Sequence, residues 1–140
     1  MKFRFLASAV IVLLALTALS SAEDPTIKAA TTAAQQWLAT VDAGQYAKSW
    51  SDASPTFQGK VTRQQWEQSL DQSRKPLGKM ESREFKSGLP ATNPQGAPAG
   101  KYCIVQFRTK FSNGGTLVET VSLQDVGGKW QTAGYFIKPD

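Results

Sequence analysis

Glu119 is the side chain on which chemistry would centre. Its alternate neighbours Leu117, Val121 and Leu123 are apolar, a period-two pattern that puts the carboxylate on the covered face of a strand. A carboxylate there has two uses. Open to a ligand, it is a candidate general base, with the Tyr135 hydroxyl nearby to stabilise an oxyanion. Paired with a guanidinium, it is a structural anchor and a poor base. Arg83 and Arg74 are the candidate partners, since arginine can satisfy a carboxylate with two bonds. An unpaired buried carboxylate is costly, so the residues favour the ion pair. The competing pocket would add Tyr46, Trp50, Trp37 and Phe107. Histidine is absent and cysteine occurs once, so a zinc site, a Cys–His pair or a Ser–His pair lacks its ligands or its base. No cofactor is expected.

Glu119 depends for its position on a hairpin whose parity can be read directly. Cys103, Val105, Phe107 and Phe111 form one apolar row, and Leu117, Val121 and Leu123 form the other. Paired residues share a face, so odd positions must oppose odd, which excludes a two-residue turn. A three-residue loop, Asn113-Gly114-Gly115, gives the required parity. It predicts the pairs Phe111–Leu117, Thr109–Glu119, Phe107–Val121 and Val105–Leu123. A second hairpin turns at Gly127-Gly128. A tight turn would cover Trp130, Thr132, Gly134 and Phe136, whereas a bulge would cover Ala133, Tyr135 and Ile137; the first is preferred. Met80–Leu89 reads as a first strand, with Arg83, Phe85 and Leu89 inward. Gly88–Gly100, rich in proline and glycine, reads as a surface loop.

Helices must cover the apolar face of this sheet. Asp24 is an N-cap and Pro25 fits the first helical position. Ile27, Ala30, Ala34, Trp37, Leu38 and Val41 follow at helical spacing, and Gly44 ends the run. Gln45–Asp52 is a short second helix with Tyr46, Ala47 and Trp50 inward, broken at Ser54-Pro55. Thr62 and Gln65 have capping-box spacing, with Val61 and Trp66 as a hydrophobic staple. This third helix turns Trp66, Leu70 and Ser73 inward, stops at Pro76, and is expected to bury its face on the sheet. At such spacing Trp37, Trp50, Trp66 and Trp130 are expected in the core, and Tyr135 and Tyr46 to be the more exposed aromatics. Asp42 and Asp52 read as a helix-end residue and a turn residue. The fold class is therefore α+β, with helices on one face of a twisted antiparallel sheet of about four strands.

The N-terminus predicts where the chain works. Met1-Lys2-Phe3-Arg4 is basic, Phe5–Leu19 is almost wholly apolar, and Ser20-Ser21-Ala22 is small. This is the pattern of a secretory signal peptide over residues 1–22, cut after Ala22, ahead of one domain over residues 23–140. An uncleaved membrane anchor is the other reading. Cleavage removes two basic residues and no acid, taking the formal net charge from +5 to +3. The remaining charges are scattered, without the basic stripe of a nucleic-acid binder. The lone Cys103 has no partner for an internal disulfide and reads as a buried thiol.

Several motifs recur in order: Asp42-x-Gly44-x-Tyr46-x-x-x-Trp50, Trp66, Arg74-x-Pro76-Leu77-Gly78, Ser82-Arg83, Glu119-Thr120, and Gly128-x-Trp130-x-x-x-Gly134-Tyr135-Phe136-Ile137. Together they resemble the bacterial exported family called domain of unknown function 4019, from about Ala29 to Lys138. Thr132 departs from it, standing where the family more often has an aliphatic residue. The resemblance implies a cystatin-like or nuclear-transport-factor-like curved sheet and a periplasmic or secreted location, but no reaction. The expected function is a non-enzymatic binding or envelope-accessory module, its partner an unknown small molecule or envelope protein. The alternative is a ligand carrier or enzyme using a pocket around Glu119 and Tyr135. A homodimer through the outer face or an edge of the sheet is a third expectation.

Overall fold

Asp24 caps the first helix by accepting from the backbone N–H of Thr26 at 2.9 Å and of Ile27 at 3.2 Å. The computed structural model describes residues 24–140; the leader expected over residues 1–22 lies outside the described residues. Helix α1 (Pro25–Asp42) buries Ile27, Ala30, Ala34, Trp37, Leu38 and Val41, the stripe its periodicity predicts. Helix α2 (Tyr46–Ser51) follows. Its one fully buried residue is Ser49; Tyr46, Ala47 and Trp50, expected inward, are half-buried.

Ser54-Pro55 ends α2 as expected but also starts another helix. Ser54 Oγ accepts from Phe57 N at 3.2 Å, and Pro55 occupies the first turn of α3 (Pro55–Lys60). This is the signal read correctly at Asp24-Pro25, a capping side chain before a proline. The third helix of the sequence reading is thus the fourth, α4 (Arg63–Ser73). Its capping box is complete: Gln65 N donates to Thr62 Oγ1 at 3.1 Å, and Thr62 N to Gln65 Oε1 at 2.9 Å. Trp66 and Leu70 are buried. Ser73 is exposed instead of inward, its hydroxyl donating to Ser69 O at 2.8 Å. A 3-10 turn at Lys75–Leu77 holds Pro76. Helix α4 packs chiefly on α2, not on the sheet, because α1 already lies across all four strands.

The sheet runs β1 (Met80–Thr92), β2 (Lys101–Phe111), β3 (Gly115–Val126) and β4 (Lys129–Pro139), antiparallel in that order. Helices followed by an open four-stranded sheet make the expected α+β fold. Among the described residues no helix is long and apolar enough to cross a membrane.

In the β2–β3 hairpin, odd pairs with odd, but two positions away from the predicted register. Phe111 opposes Gly115, Thr109 opposes Leu117, Phe107 opposes Glu119, Val105 opposes Val121 and Cys103 opposes Leu123. The loop is still three residues, Ser112-Asn113-Gly114. Ser112 N donates to Lys79 O at 2.8 Å and Asn113 N to Leu77 O at 2.9 Å. The turn therefore bonds to the segment entering β1, and Ser112 leaves the ladder. Parity survives because the error is two residues.

Register shifts correct the outer strands. At Gly127-Gly128, with φ of +60° and +87°, the turn is the tight one, pairing Val126 with Lys129 and Leu123 with Thr132. A register shift then skips Ala133, and Tyr135 opposes Val121 while Ile137 opposes Glu119. Trp130 and Thr132 face as preferred, but Gly134 and Phe136 do not: the bulge turns Tyr135 inward and leaves Phe136 53 % exposed. In β1 shifts lie between Met80 and Ser82 and between Phe85 and Ser87, and the latter reverses the residues that follow. Arg83 and Phe85 stay inward, while Leu89 is turned out and 58 % exposed. The segment expected to be loop from Gly88 continues as strand to Thr92. Gly88 faces α1, where a Cβ would lie 2.5 Å from Ile27 Cγ2, so glycine lets helix and strand approach closely.

Candidate functional site

Glu119 is completely buried, in the middle of β3. Its Oε1 accepts from Arg83 Nη2 at 2.7 Å, Arg83 Nε at 2.9 Å and the Thr109 hydroxyl at 2.5 Å. Its Oε2 accepts from the Tyr135 hydroxyl. The strands dictate this meeting. Thr109 and Glu119 share the inner face of β2 and β3, Arg83 opposes Thr109 from β1, and the bulge in β4 brings in Tyr135.

Arg83 is also held from the helical layer. Its Nη1 donates to Asp42 Oδ2 at 2.8 Å and its Nη2 to Asp42 Oδ1 at 3.1 Å. Asp42 is the last residue of α1, where a carboxylate faces the negative end of the helix dipole. Two guanidiniums offset that conflict, because Arg74 Nη2 also donates to Asp42 Oδ1 at 3.2 Å. Arg74 is itself buried, donates from Nη1 to Gly78 O at 2.6 Å, and places its guanidinium carbon 4.5 Å from the Phe111 ring centroid. The result is a continuous chain Tyr135–Glu119–Arg83–Asp42–Arg74 with balanced formal charges. Burial alone would lower the Arg83 pKa, but the Asp42 hydrogen bond and the charges of Glu119 and Asp42 outweigh it and raise it.

Of the two candidate arginines, Arg83 pairs with Glu119, and Arg74 reaches the cluster only through Asp42. From the sequence, Asp42 reads only as a helix end. Its signal was an acid at the wrong end of a helix, a position that calls for a cation. Tyr135, expected to be among the more exposed aromatics, is half-buried, with its hydroxyl on Glu119 and its ring 5.4 Å from that of Trp37. Tyr46 and Trp50 pack on the core from α2; the Glu119 hydrogen bonds come from other residues. Burial raises the Tyr46 pKa, Arg74 opposing.

The tryptophans hold the helical layer through residues that composition alone does not flag. Trp37 Nε1 donates to Ser49 O at 2.8 Å, Trp66 Nε1 to Ser49 Oγ at 2.9 Å, and Trp50 Nε1 to Val61 O at 2.9 Å. Replacing Ser49 by alanine leaves the Trp66 indole N–H without its acceptor, for an expected loss of about 1–3 kcal/mol in urea unfolding.

Tyr135 carries a pH signature. Burial raises its pKa well above the ordinary tyrosine value, and the neighbouring Glu119 charge raises it further. The folded state therefore keeps a proton that the unfolded chain gives up. The resulting stability is complete below the ordinary tyrosine pKa of about 10 and is lost as pH rises toward the folded-state value. Unfolding followed against alkaline pH should show that loss in the native sequence and a shallower one in Tyr135→Phe.

An open cleft lies elsewhere. It has a volume of about 440 Å³, between α1, α2 and the start of β4, with Trp37, Trp130, Lys48, Lys129, Gln36 and Thr132 among its walls. A second, more open groove of about 460 Å³ runs past Tyr46, Glu67 and Asp71. Among the described residues no group of three or more His, Cys, Asp or Glu side chains is placed to hold a metal ion. Cys103 is buried and free, and burial raises its thiol pKa, so it is an inert core residue.

The family described as Protein of unknown function (DUF4019) matches residues 33–135 of the chain. Among curated proteins none matches it.

Proposed function

This chain belongs to the DUF4019 family, and we propose that it is an exported, non-enzymatic binding or envelope-accessory module of the periplasm. The observation that carries the non-enzymatic reading is the closure of the Glu119 cluster. The carboxylate is fully buried and receives four hydrogen bonds from its own chain. A general base needs an acceptor within reach of a substrate proton, and here each oxygen is already taken. What supports export is the basic start, apolar run and small-residue end of residues 1–22. What supports binding is the solvent-open cleft beside Trp130, separate from the closed cluster.

The test is a thermal-shift screen of the exported protein against small polar metabolites. A ligand at one hundred times its Kd adds about 2.7 kcal/mol of stability, and the shift is expected to persist in Tyr135→Phe. A metabolite chemically converted by the native protein but not by Tyr135→Phe would overturn this reading in favour of an enzyme acting at Glu119 and Tyr135.

A further inference from the structure

The cleft differs from the Glu119 cluster in one physical respect: several of its polar groups are uncommitted. Trp37, Trp50 and Trp66 each spend their indole N–H on the protein. Trp130, half-buried at the cleft wall, makes no hydrogen bond through Nε1 among the described residues. Gln36 and Thr40 stand four residues apart on α1, so their amide and hydroxyl face the cleft side by side. Neither side chain has a hydrogen-bond partner among the described residues. Thr132 lines the floor, and its buried hydroxyl is likewise unpartnered.

The charges at the mouth are unequal. Lys48 is neutralised by Asp52 across one turn of α2. Lys129 has no carboxylate partner among the described residues, so the cleft presents one free cation. Of these groups the Thr132 hydroxyl is buried without a partner, which is costly; Gln36, Thr40, the Trp130 N–H and Lys129 reach solvent and are free to bond a ligand. An apolar ligand would take these groups out of water without giving them partners, at that same kind of cost.

Resting on the binding reading above, we propose that this cleft is a site for a sugar carboxylate, a uronic acid or an acidic saccharide end. The Trp130 ring meets the C–H face of the sugar and its N–H a ring or hydroxyl oxygen. Gln36 and Thr40 meet hydroxyls, and the Lys129 ammonium meets the carboxylate. A volume of about 440 Å³ lies within the roughly 300–1,000 Å³ of ordinary ligand sites.

The experiment titrates the exported protein with glucuronate, glucose and a glutamyl dipeptide, following the four indole N–H resonances by NMR. Trp130→Phe assigns its own resonance. Glucuronate is expected to move the Trp130 signal saturably, and glucose about tenfold more weakly, for want of the charge-assisted bond. Lys129→Gln should weaken glucuronate by about tenfold and leave glucose unchanged. Unchanged Trp37, Trp50 and Trp66 resonances in the variant establish that it is folded. Equal binding of glucose and glucuronate, preference for the dipeptide, or glucuronate binding undiminished by Lys129→Gln overturns the proposal. If other metabolites move Trp130 and glucuronate does not, the ligand class falls and the binding reading stands. If none moves it, both fall at this cleft.

Discussion

Glu119→Gln should lower the stability of the protein by about 3 kcal/mol, and Arg83→Met by about 3–5 kcal/mol, because each leaves a buried charge short of its partner. Glutamine keeps an acceptor for Arg83 but removes the charge. Arg83 then has only Asp42, which it shares with Arg74. Methionine at position 83 is worse, since Glu119 loses two of its four hydrogen bonds while remaining fully buried. The combined variant should cost clearly less than the sum of the two, since removing both partners leaves neither charge stranded. Urea unfolding of the four proteins measures this coupling. Additive effects, or a Glu119→Gln loss within about 0.5 kcal/mol, which is typical of an unimportant surface change, would show that the cluster does not anchor the helices to the sheet.

The second large effect separates the two faces of the sheet. Phe107 is completely buried opposite Glu119, in the core under α1. Phe107→Ala should cost about 3–5 kcal/mol, through lost burial and the cavity left behind. Phe136, at 53 % exposure, should tolerate alanine with a change of about 0.5 kcal/mol or less. The contrast tests the bulge at Ala133 directly. Without that bulge Phe136 would be the covered residue and Tyr135 the exposed one. A large loss at Phe136 would mean that β4 keeps its parity from the turn onward.

The unequal success of the strand readings follows from what alternation can encode. Cys103, Val105 and Phe107 against Val121 and Leu123 specify a face, since a slip by one residue would put the whole row in water. A slip by two costs no face at all, so the choice between Leu117 and Gly115 as the partner of Phe111 was made by Ser112 and Asn113. These bond to Lys79 and Leu77, some thirty residues earlier in the chain. Bulges are equally hidden. Ala133 and Lys86 sit in strands whose composition is ordinary on both sides, and the reversal of Leu89, Gly134 and Phe136 followed from each.

The sequence by itself determined the local and periodic features: the Asp24 and Thr62 caps, the buried stripe of α1, the odd–odd pairing and the inward carboxylate at 119. These depend on residue type at short spacing, where backbone geometry leaves few choices. Only the tertiary structure decided which cation meets Glu119, that Asp42 joins two arginines, and that Tyr135 closes the cluster while the groups around Trp130 stay open. Those outcomes depend on where a helix end, the β4 bulge and four strands converge. Distances between residues far apart in the chain are set by packing, and no spacing along the chain records them.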